Sequence, residues 1–370
     1  MRGSERGRAA GGRGVLSVHR PPVPLRPGGA TRRPPLSRAT VAASVPAEPI
    51  IRVVVLAGGV GGAKLAHGMA ALPRVELTVV ANTGDDLDVH GLRVSPDVDT
   101  LLYTLAGLAN PVQGWGLSGE TWSAHGMFAR YGQPTWFRIG DRDLATHVVR
   151  TRLLAAGETP TAVTALLAAS LGVRARVLPM SDQPVRTHVR THRGWTAFQD
   201  WFVGQRHADD ALEVRFDGID AARPTPHVLD ALASAELIAL APSNPFVSIG
   251  TILALPGMLK AIRAASAPVV AVSPIVAGAA LKGPADRMLE TLGDESSALG
   301  IARHYVERHP GLLDAIVIDE LDAALATRIE ALGLAVRVAP TIMTDDADRV
   351  RLASEVLTFA RSSATGSSTP

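Results

Sequence analysis

The stretch Val53-Val-Val-Leu-Ala-Gly58-Gly-Val-Gly-Gly-Ala-Lys64 joins an apolar run to a corner with four glycines. The apolar, β-branched run predicts a buried parallel strand, and the glycines predict a tight turn into a helix. Such a corner lets backbone amides approach an anion at the positive end of the helix. It is not a P-loop, because Ala63 and Leu65 replace the Gly and the Ser or Thr of that motif, and it lacks the third glycine of a dinucleotide fingerprint. We predict a phosphate cradle, with a tight turn that binds no ligand as the alternative.

The same order of strand, corner and helix continues along the chain. Six apolar runs predict strands, at Ile51–Ala57, Leu77–Ala81, Leu237–Ala241, Pro268–Ser273, Ala315–Asp319 and Ala335–Val338. Polar or small residues follow each run. Because open parallel sheets bind ligands beyond the carboxyl ends of their strands, these residues predict a site at one edge. The predicted fold class is α/β, with a Rossmann-like parallel sheet flanked by helices.

Residues 121–230 interrupt this order. The segment predicts two helices and three short antiparallel strands, at Leu144–Ala156, Pro160–Ser170, Arg174–Leu178, Val185–Thr191 and Trp195–Val203. We interpret it as an inserted mixed α+β lobe that covers the active site. Residues 49–120 and 231–360 then form the core that binds nucleotide and metal.

Residues 1–48 differ from the rest in composition. The first fifty residues contain nine arginines and two acidic residues, although the whole chain carries a net charge of only +2, so the remainder is acidic. The composition of Arg, Pro, Gly and Ser predicts a disordered basic tail, with targeting or polyanion contact as the alternative. We expect no nucleic-acid partner and no membrane span for the acidic remainder. With no cysteine in the sequence, disulfides and thiolate metal ligands are excluded.

Four carboxylates follow the second predicted strand. Asp85 and Asp86 lie in Asn82-Thr-Gly-Asp-Asp86, and Asp97 and Asp99 lie in Pro96-Asp-Val-Asp-Thr100. Mg²⁺ usually takes one or two carboxylates and fills its other positions with water and phosphate oxygens. Helix capping is an equally good explanation for any single one of the four, but less so for all together. A metal beside a phosphate cradle predicts phosphoryl transfer.

Two further motifs are suited to anion contact. Arg142 and His147 lie in Gly140-Asp-Arg-Asp-Leu-Ala-Thr-His147, where a helix begins, and Ser243 and Asn244 follow a predicted strand. The sequence contains neither a Gly-x-Ser-x-Gly elbow nor a His-Glu-x-x-His motif. A hydrolase triad and a zinc protease are therefore not indicated.

In this order, the motifs resemble those of the 2-phospho-L-lactate transferase family of coenzyme F420 biosynthesis. The matching pieces span nearly all of residues 51–343 and comprise the glycine-rich corner, Asn82–Asp86, His90-Gly91, Pro96–Thr100, Gly140–His147, Ser243–Pro245 and Ser273–Ile275. The combination is specific, whereas the glycine-rich corner alone is not.

The resemblance implies a cytoplasmic, homodimeric, Mg²⁺-dependent transferase. Enzymes of this kind move a phosphoenolpyruvyl or 2-phospho-L-lactyl group from a guanosine-diphospho-linked three-carbon acid to the terminal ribityl hydroxyl of the deazaflavin Fo, and release GMP. The long, Trp-containing stretch Glu120–His147 resembles the bacterial phosphoenolpyruvate branch more closely. No motif decides between enolpyruvate and lactate.

The resemblance also implies roles for individual residues. We expect Asp85 and Asp99 to bind Mg²⁺, and Asp86 and Asp97 to support the metal or to act as the base for the hydroxyl proton. The catalytic residues are then Asp85, Asp86 and Asp97. Substrate binding is expected from Gly58, Gly59, Gly61, Gly62, Lys64, Asn82, Thr83, His90, Arg142, His147, Ser243 and Asn244.

Two other functions share parts of the pattern. A non-catalytic nucleotide-sugar-binding regulator of the gluconeogenesis-factor type shares the glycine-rich corner and Asn82–Asp86, but it would not need Gly140–His147 or the Trp-containing segment. A Rossmann oxidoreductase would need the third fingerprint glycine and an acid about 20 residues further on to hold the ribose.

Overall fold

The computed structural model describes residues 49–366, so the predicted tail at 1–48 lies outside the described residues. The strands are β1 (Ile51–Ala57), β2 (Val75–Ala81), β3 (Leu87–Val89), β4 (Leu92–Val94), β5 (Arg176–Pro179), β6 (Arg186–Thr191), β7 (Gly194–Ala197), β8 (Glu213–Asp217), β9 (Leu237–Leu240), β10 (Val269–Val272), β11 (Ile275–Val276), β12 (Ala279–Ala280), β13 (Ala315–Ile318) and β14 (Ala335–Val338).

The helices lie mostly between these strands. They are α1 (Gly59–Ala71), α2 (Pro96–Leu105), α3 (Ser123–Arg130), α4 (Asp141–Ala155), α5 (Pro160–Ser170), α6 (Pro226–Ser234), α7 (Ile249–Leu253), α8 (Met258–Ala264), α9 (Ala285–Thr291), α10 (Ala298–Arg308), α11 (Ala326–Glu330) and α12 (Asp346–Gly366). Short 3₁₀ and π-helical segments occupy Glu320–Leu325 and Asp200–Gly204.

A seven-stranded sheet forms the centre of the molecule, in the order β14-β13-β10-β9-β1-β2-β5. All its strand pairs are parallel. This confirms the predicted α/β fold, and the six strands expected for the sheet are β1, β2, β9, β10, β13 and β14. In the sheet, β2 and β5 lie on one side of β1, and β9, β10, β13 and β14 lie on the other side. The strand order therefore reverses between β1 and β9, where open α/β sheets bind ligands.

The seventh strand corrects one prediction. We expected Arg174–Leu178 to pair in an antiparallel sheet, but β5 pairs parallel with β2, with Thr78 opposite Arg176. A parallel neighbour requires a crossover connection, which the helices between β2 and β5 supply. Residues 121–230 therefore contribute to the main sheet as well as to a separate one.

Side chains of β1 alternate between the two faces of the sheet. Val53 and Val55 belong to a buried cluster with residues of α1, α2 and α12, whereas Val54 and Leu56 belong to a second cluster with residues of α6, α7, α8 and α10. Helices thus cover both faces, as continuous apolar strands require. No helix within residues 49–366 is long and apolar enough to cross a membrane.

A small antiparallel sheet in the order β7-β6-β8 lies outside the main sheet. Its central strand confirms the strand predicted at Val185–Thr191. The strand predicted at Trp195–Val203 is wrong beyond Ala197, because a π-helical turn occupies Asp200–Gly204 and buries Trp201 against Phe198. Burial of these aromatic rings outweighs the strand propensity of the segment.

Close packing of α1 and α12 yields a test of the fold. A Cβ at Gly68 on α1 would lie 2.0 Å from the backbone carbonyl oxygen of Arg349 on α12. We expect Gly68→Ala to lower the free energy of unfolding by about 1–3 kcal/mol, because the helices must separate. Urea denaturation followed by circular dichroism measures this change.

The matched control is Gly126→Ala on α3, where an added Cβ meets no atom within 4 Å. There the substitution should stabilise by up to roughly 1 kcal/mol, because it removes the conformational freedom of a helical glycine. Equal stability of the Gly68→Ala protein and the wild type would contradict the close approach of α1 and α12.

Candidate active site

A cavity of about 920 Å³ opens where the strand order reverses, beside the residues that follow β1 and β9. Most of the predicted site residues line it: Gly58, Gly59, Gly61, Lys64, Asp85, Asp97, Asp99, His147, Ser243 and Asn244. The structure thus brings the glycine-rich corner, three of the four carboxylates and the turn after β9 around one space.

Asp97, at the start of α2, joins the glycine-rich corner to the acidic residues. One of its oxygens accepts a 2.8 Å hydrogen bond from the Gly59 amide, and the other accepts a 2.8 Å bond from the Asn82 side chain. A Cβ at Gly58 would lie 2.6 Å from the same carboxylate, so glycine permits this approach. Burial raises the pKa of Asp97 to about 6. Asp97 therefore holds the corner in place.

The glycine-rich corner packs closely against protein as well as facing the cavity. A Cβ at Gly61 would lie 2.3 Å from the carbonyl oxygen of Pro242, and one at Gly62 would lie 2.8 Å from the Ser243 hydroxyl. That hydroxyl donates a 2.7 Å hydrogen bond to the carbonyl oxygen of Gly58. These two glycines let the start of α1 approach the turn after β9. Phosphate binding at the corner stays a prediction.

Two lysines line the cavity. Lys64 donates a 2.6 Å hydrogen bond to the carbonyl oxygen of Met343, and Lys282 donates a 2.7 Å bond to that of Gln113. Burial lowers the pKa of Lys64, and the positive charges of Arg349 and Lys282 lower it further. The two ammonium groups are suited to neutralising a bound diphosphate.

Asp85 presents a carboxylate oxygen without a partner. The residue is 6% exposed and lines the large cavity, and its Oδ1 has no hydrogen-bond partner among residues 49–366. Burial raises the pKa of Asp85 well above its usual range, and the nearby Asp97 carboxylate raises it further. Because an unsatisfied buried acceptor costs stability, a ligand that paired with this oxygen would stabilise the protein.

Asp86 faces a different space from its neighbour. It lines a smaller cavity of about 240 Å³, together with Thr83. Ser95 donates a 3.0 Å hydrogen bond to one Asp86 oxygen, while the other has no partner in the described part of the chain. Burial raises the pKa of Asp86 to about 7. The catalytic role expected for Asp86 stays a prediction.

Asp99 lies in a buried polar network. Arg150 on α4 donates to both Asp99 oxygens and lies 3.2 Å from Nδ1 of His147. Because a guanidinium is only a donor, Nδ1 accepts, and Nε2 carries the proton toward Asp143, at 3.3 Å. Arg150 was not among the predicted site residues, although its place one turn after His147 was an available signal.

Four further predicted residues contact other groups of the protein, and of these only His147 lines the large cavity. Both nitrogens of His147 face the polar network, although we expected an anion there. Asn82 is buried and donates to Asp97. His90 stacks on Phe128, with 4.0 Å between ring centroids. Arg142 is exposed and donates to the carbonyl oxygen of Ser118. The direct substrate contacts expected of these residues stay predictions.

Four aromatic residues that were not predicted for the site form an aromatic wall of the large cavity: Trp136, Phe137, Phe198 and Phe202. Phe198 and Phe202 stack with 5.5 Å between centroids, and Trp136 packs against Gly204. All four residues belong to the segment 121–230. The tryptophans in this segment could equally have been core residues, and the spacing of the two phenylalanines was the available signal.

The acidic residues meet one requirement of a magnesium site. Beside the large cavity, Asp85 keeps a buried oxygen without a partner, which an added positive charge would satisfy, whereas Asp86 lines the smaller cavity. Within residues 49–366, no three His, Asp or Glu side chains are grouped as a complete metal site. Mg²⁺ does not need such a group, because it commonly shares one or two carboxylates with substrate phosphates. The donor set therefore fits Mg²⁺ bound together with a phosphorylated substrate.

Comparison with known proteins identifies the family of the chain. Residues 53–351 match the family model described as 2-phospho-L-lactate transferase CofD. A Streptomyces griseus protein named phosphoenolpyruvate transferase is 45% identical over 316 residues, which cover 84% of this chain and 98% of that protein. A Mycobacterium avium protein of the same name is 41% identical over 338 residues, covering 84% and 99%.

Two crystal structures of a Bacillus halodurans protein of the UPF0052 family have TM-scores of 0.61 and 0.58 at 16% identity, over 83% of this chain and 99% of theirs. At that identity they show the fold alone.

The regulator alternative is not favoured, because the similar curated proteins are named as transferases. The extent of the family match, together with relatives above 40% identity, shows that this chain belongs to the 2-phospho-L-lactate transferase (CofD) family.

Proposed function

We propose that the chain transfers a phosphoenolpyruvyl group from enolpyruvyl-2-diphospho-5'-guanosine to the terminal ribityl hydroxyl of Fo, giving dehydro-F420-0 and GMP. The names of the relatives favour this donor over its lactyl counterpart. One observation carries the proposal: the unpartnered Asp85 oxygen, the glycine-rich corner and the aromatic wall line the same cavity. The site therefore combines surfaces suited to a diphosphate and to a ring system.

The proposed reaction is a displacement at the phosphorus that carries the three-carbon acid. The ribityl oxygen forms a new bond to this phosphorus, and the bond from the phosphorus to the GMP oxygen breaks. GMP leaves with that electron pair, and the hydroxyl proton passes to a base. Such transfers depend on positioning and on stabilisation of the leaving oxygen.

Residues of the core supply the charged part of this mechanism. We assign binding of Mg²⁺ to Asp85, and when bound the ion stabilises negative charge on the leaving phosphate oxygen. Lys64 and Lys282 bind the diphosphate. Asp86 and Asp97 were both expected as the base, but only Asp97 lines the large cavity. We therefore assign to Asp97 the role of the base that accepts the proton of the ribityl hydroxyl. Its pKa of about 6 lies near neutral pH, where a general base works well.

The aromatic wall supplies the apolar part. Stacking on Phe202 and Trp136 would hold the deazaflavin ring of Fo, because flat aromatic ligands gain binding energy from such contacts. The wall and the acidic residues line the same cavity, so a ring on the wall would leave its ribityl chain free to reach the phosphorus. The homodimer and the cytoplasmic location expected from the resemblance stay predictions.

The direct test mixes the full chain with Fo, Mg²⁺ and each guanosine donor, and follows GMP and the new phosphodiester by mass spectrometry. We expect equal amounts of both products, with faster turnover of the enolpyruvyl donor. Release of GMP without Fo would indicate a hydrolase, and absence of product with either donor would contradict the proposal.

Asp85→Asn tests the charged part. The change keeps the size of the side chain but removes its charge, so turnover should fall on the order of 10²-fold or more. The melting temperature in EDTA should stay the same or rise, because a buried unpaired carboxylate is lost. EDTA should also abolish the activity of the wild type, and added Mg²⁺ should restore that activity.

The control for this change is Asp230→Asn on α6, an exposed residue that does not line the cavity. Its turnover should match that of the wild type. If the wild type is fully active in EDTA, or if Asp85→Asn turns over as fast as the wild type, the role assigned to Asp85 is contradicted.

Phe202→Ala tests the aromatic wall. Loss of one stacking surface should raise KM for Fo by about tenfold, since such contacts contribute roughly 1–3 kcal/mol, while KM for the donor stays unchanged. Steady-state kinetics with each substrate varied separately measures both values. Tyr131→Ala, at a residue that is 69% exposed, is the control. An equal rise in both KM values would indicate a general disturbance and contradict a specific Fo surface.

A further inference from the structure

A positive charge is built into the acidic cluster, which we define as Asp85, Asp86, Asp97 and Asp99. It belongs to Arg150, whose side chain is 4% exposed, beside an Asp99 side chain that is 6% exposed. The guanidinium donates to both oxygens of Asp99 in the paired geometry that arginine and carboxylate favour. Its charge also acts on Asp86.

The position of Arg150 is fixed from a second direction. One of its nitrogens lies 3.2 Å from Nδ1 of His147, and His147 in turn faces Asp143. Tyr103 donates a 2.5 Å hydrogen bond to Asp143. Since every member of this network is buried, the guanidinium cannot leave Asp99 without stranding a charge. Arg150 is therefore a permanent partner of Asp99.

The other carboxylates of the acidic cluster differ in how they are satisfied. Asp97 uses both oxygens to accept bonds from the Gly59 amide and Asn82. Asp85 keeps Oδ1 without a partner within the described range 49–366, and it lines the large cavity. Phosphoryl-transfer sites with several carboxylates often hold two cations. In this cluster the guanidinium already supplies positive charge at Asp99, and Asp85 alone offers an open oxygen to the large cavity.

We propose that Arg150 is a built-in counter-ion in place of a second divalent cation, so that the acidic cluster binds one cation, through Asp85 and not through Asp99. The inference rests on the proposed function for the presence of a cation, and it revises the expectation that Asp99 is a ligand. Arg150 is a positioning residue here, because it acts through Asp99 and touches no substrate.

Mn²⁺ is the probe, because its binding to the full chain is measured directly by electron paramagnetic resonance without substrate or turnover. The wild type should bind one Mn²⁺ per chain. Asp85→Asn should raise the Kd at least about tenfold, whereas Asp99→Asn should change it by less than about threefold, because cation affinity follows the charge of the ligands. An Asp99→Asn protein that loses Mn²⁺ as fully as Asp85→Asn, a wild type that binds two, or one that binds none, would overturn the proposal.

Arg150→Met, with Arg152→Met as the control on an exposed position of the same helix, tests the role of the guanidinium. Removal of the guanidinium leaves the buried Asp99 charge unpaired, so this variant should bind a second Mn²⁺. Addition of Mn²⁺ should therefore raise its melting temperature more than it raises that of the wild type. A single Mn²⁺ in the folded Arg150→Met protein would overturn the proposal. If this variant does not fold, the comparison of Asp85→Asn with Asp99→Asn decides the question alone.

The assay of GMP release distinguishes failure of the proposed function from failure of the role proposed for Arg150. If the wild type forms product but the Asp99→Asn variant no longer binds Mn²⁺, only the role proposed for Arg150 is overturned. Absence of product, with one Mn²⁺ bound through Asp85, would overturn only the proposed function.

Discussion

The site depends on the two hydrogen bonds accepted by the Asp97 carboxylate. They join the Gly59 amide at the end of β1 to Asn82 at the end of β2, with Asp97 itself at the start of α2. The segments are distant in sequence, but neighbouring parallel strands place their ends together. The missing side chain of Gly58 lets the carboxylate reach this position. One buried interaction thus sets the corner, the acidic residues and the first turn of α2 relative to one another.

Burial of several carboxylates in one place is costly, and the protein offsets this cost in different ways. Asp97 is satisfied by neutral donors, and Asp99 by the guanidinium of Arg150. Asp85 keeps Oδ1 without a partner among residues 49–366, and burial and the Asp97 carboxylate raise its pKa. Proteins tolerate such unfavourable groups mainly at functional sites. A positively charged ligand at the open oxygen of Asp85 would therefore offset part of the cost of burying this carboxylate.

The main sheet and its edge site could be predicted because buried parallel strands appear in the sequence as continuous apolar runs. The partner of β5 could not, because a run as short as Arg176–Pro179 does not encode strand direction, which the preceding crossover decides. Local residue patterns also revealed the acidic residues but not their partners. Arg150 pairs with Asp99 across 51 positions, and the aromatic wall combines Trp136 with a π-helical turn that strand propensity did not indicate.

Residues that follow the main strands and residues of the segment 121–230 contribute different surfaces to the large cavity. The carboxyl ends of parallel strands present polar corners and helix N-termini, which suit phosphate and cation. Such an edge offers little flat apolar surface for a ring. The segment 121–230 adds that surface through Phe198 and Phe202, and it also contributes Arg150 to the charged side. A likeness at 16% identity therefore shows a shared sheet and not a shared chemistry, because function depends on the side chains at the strand ends.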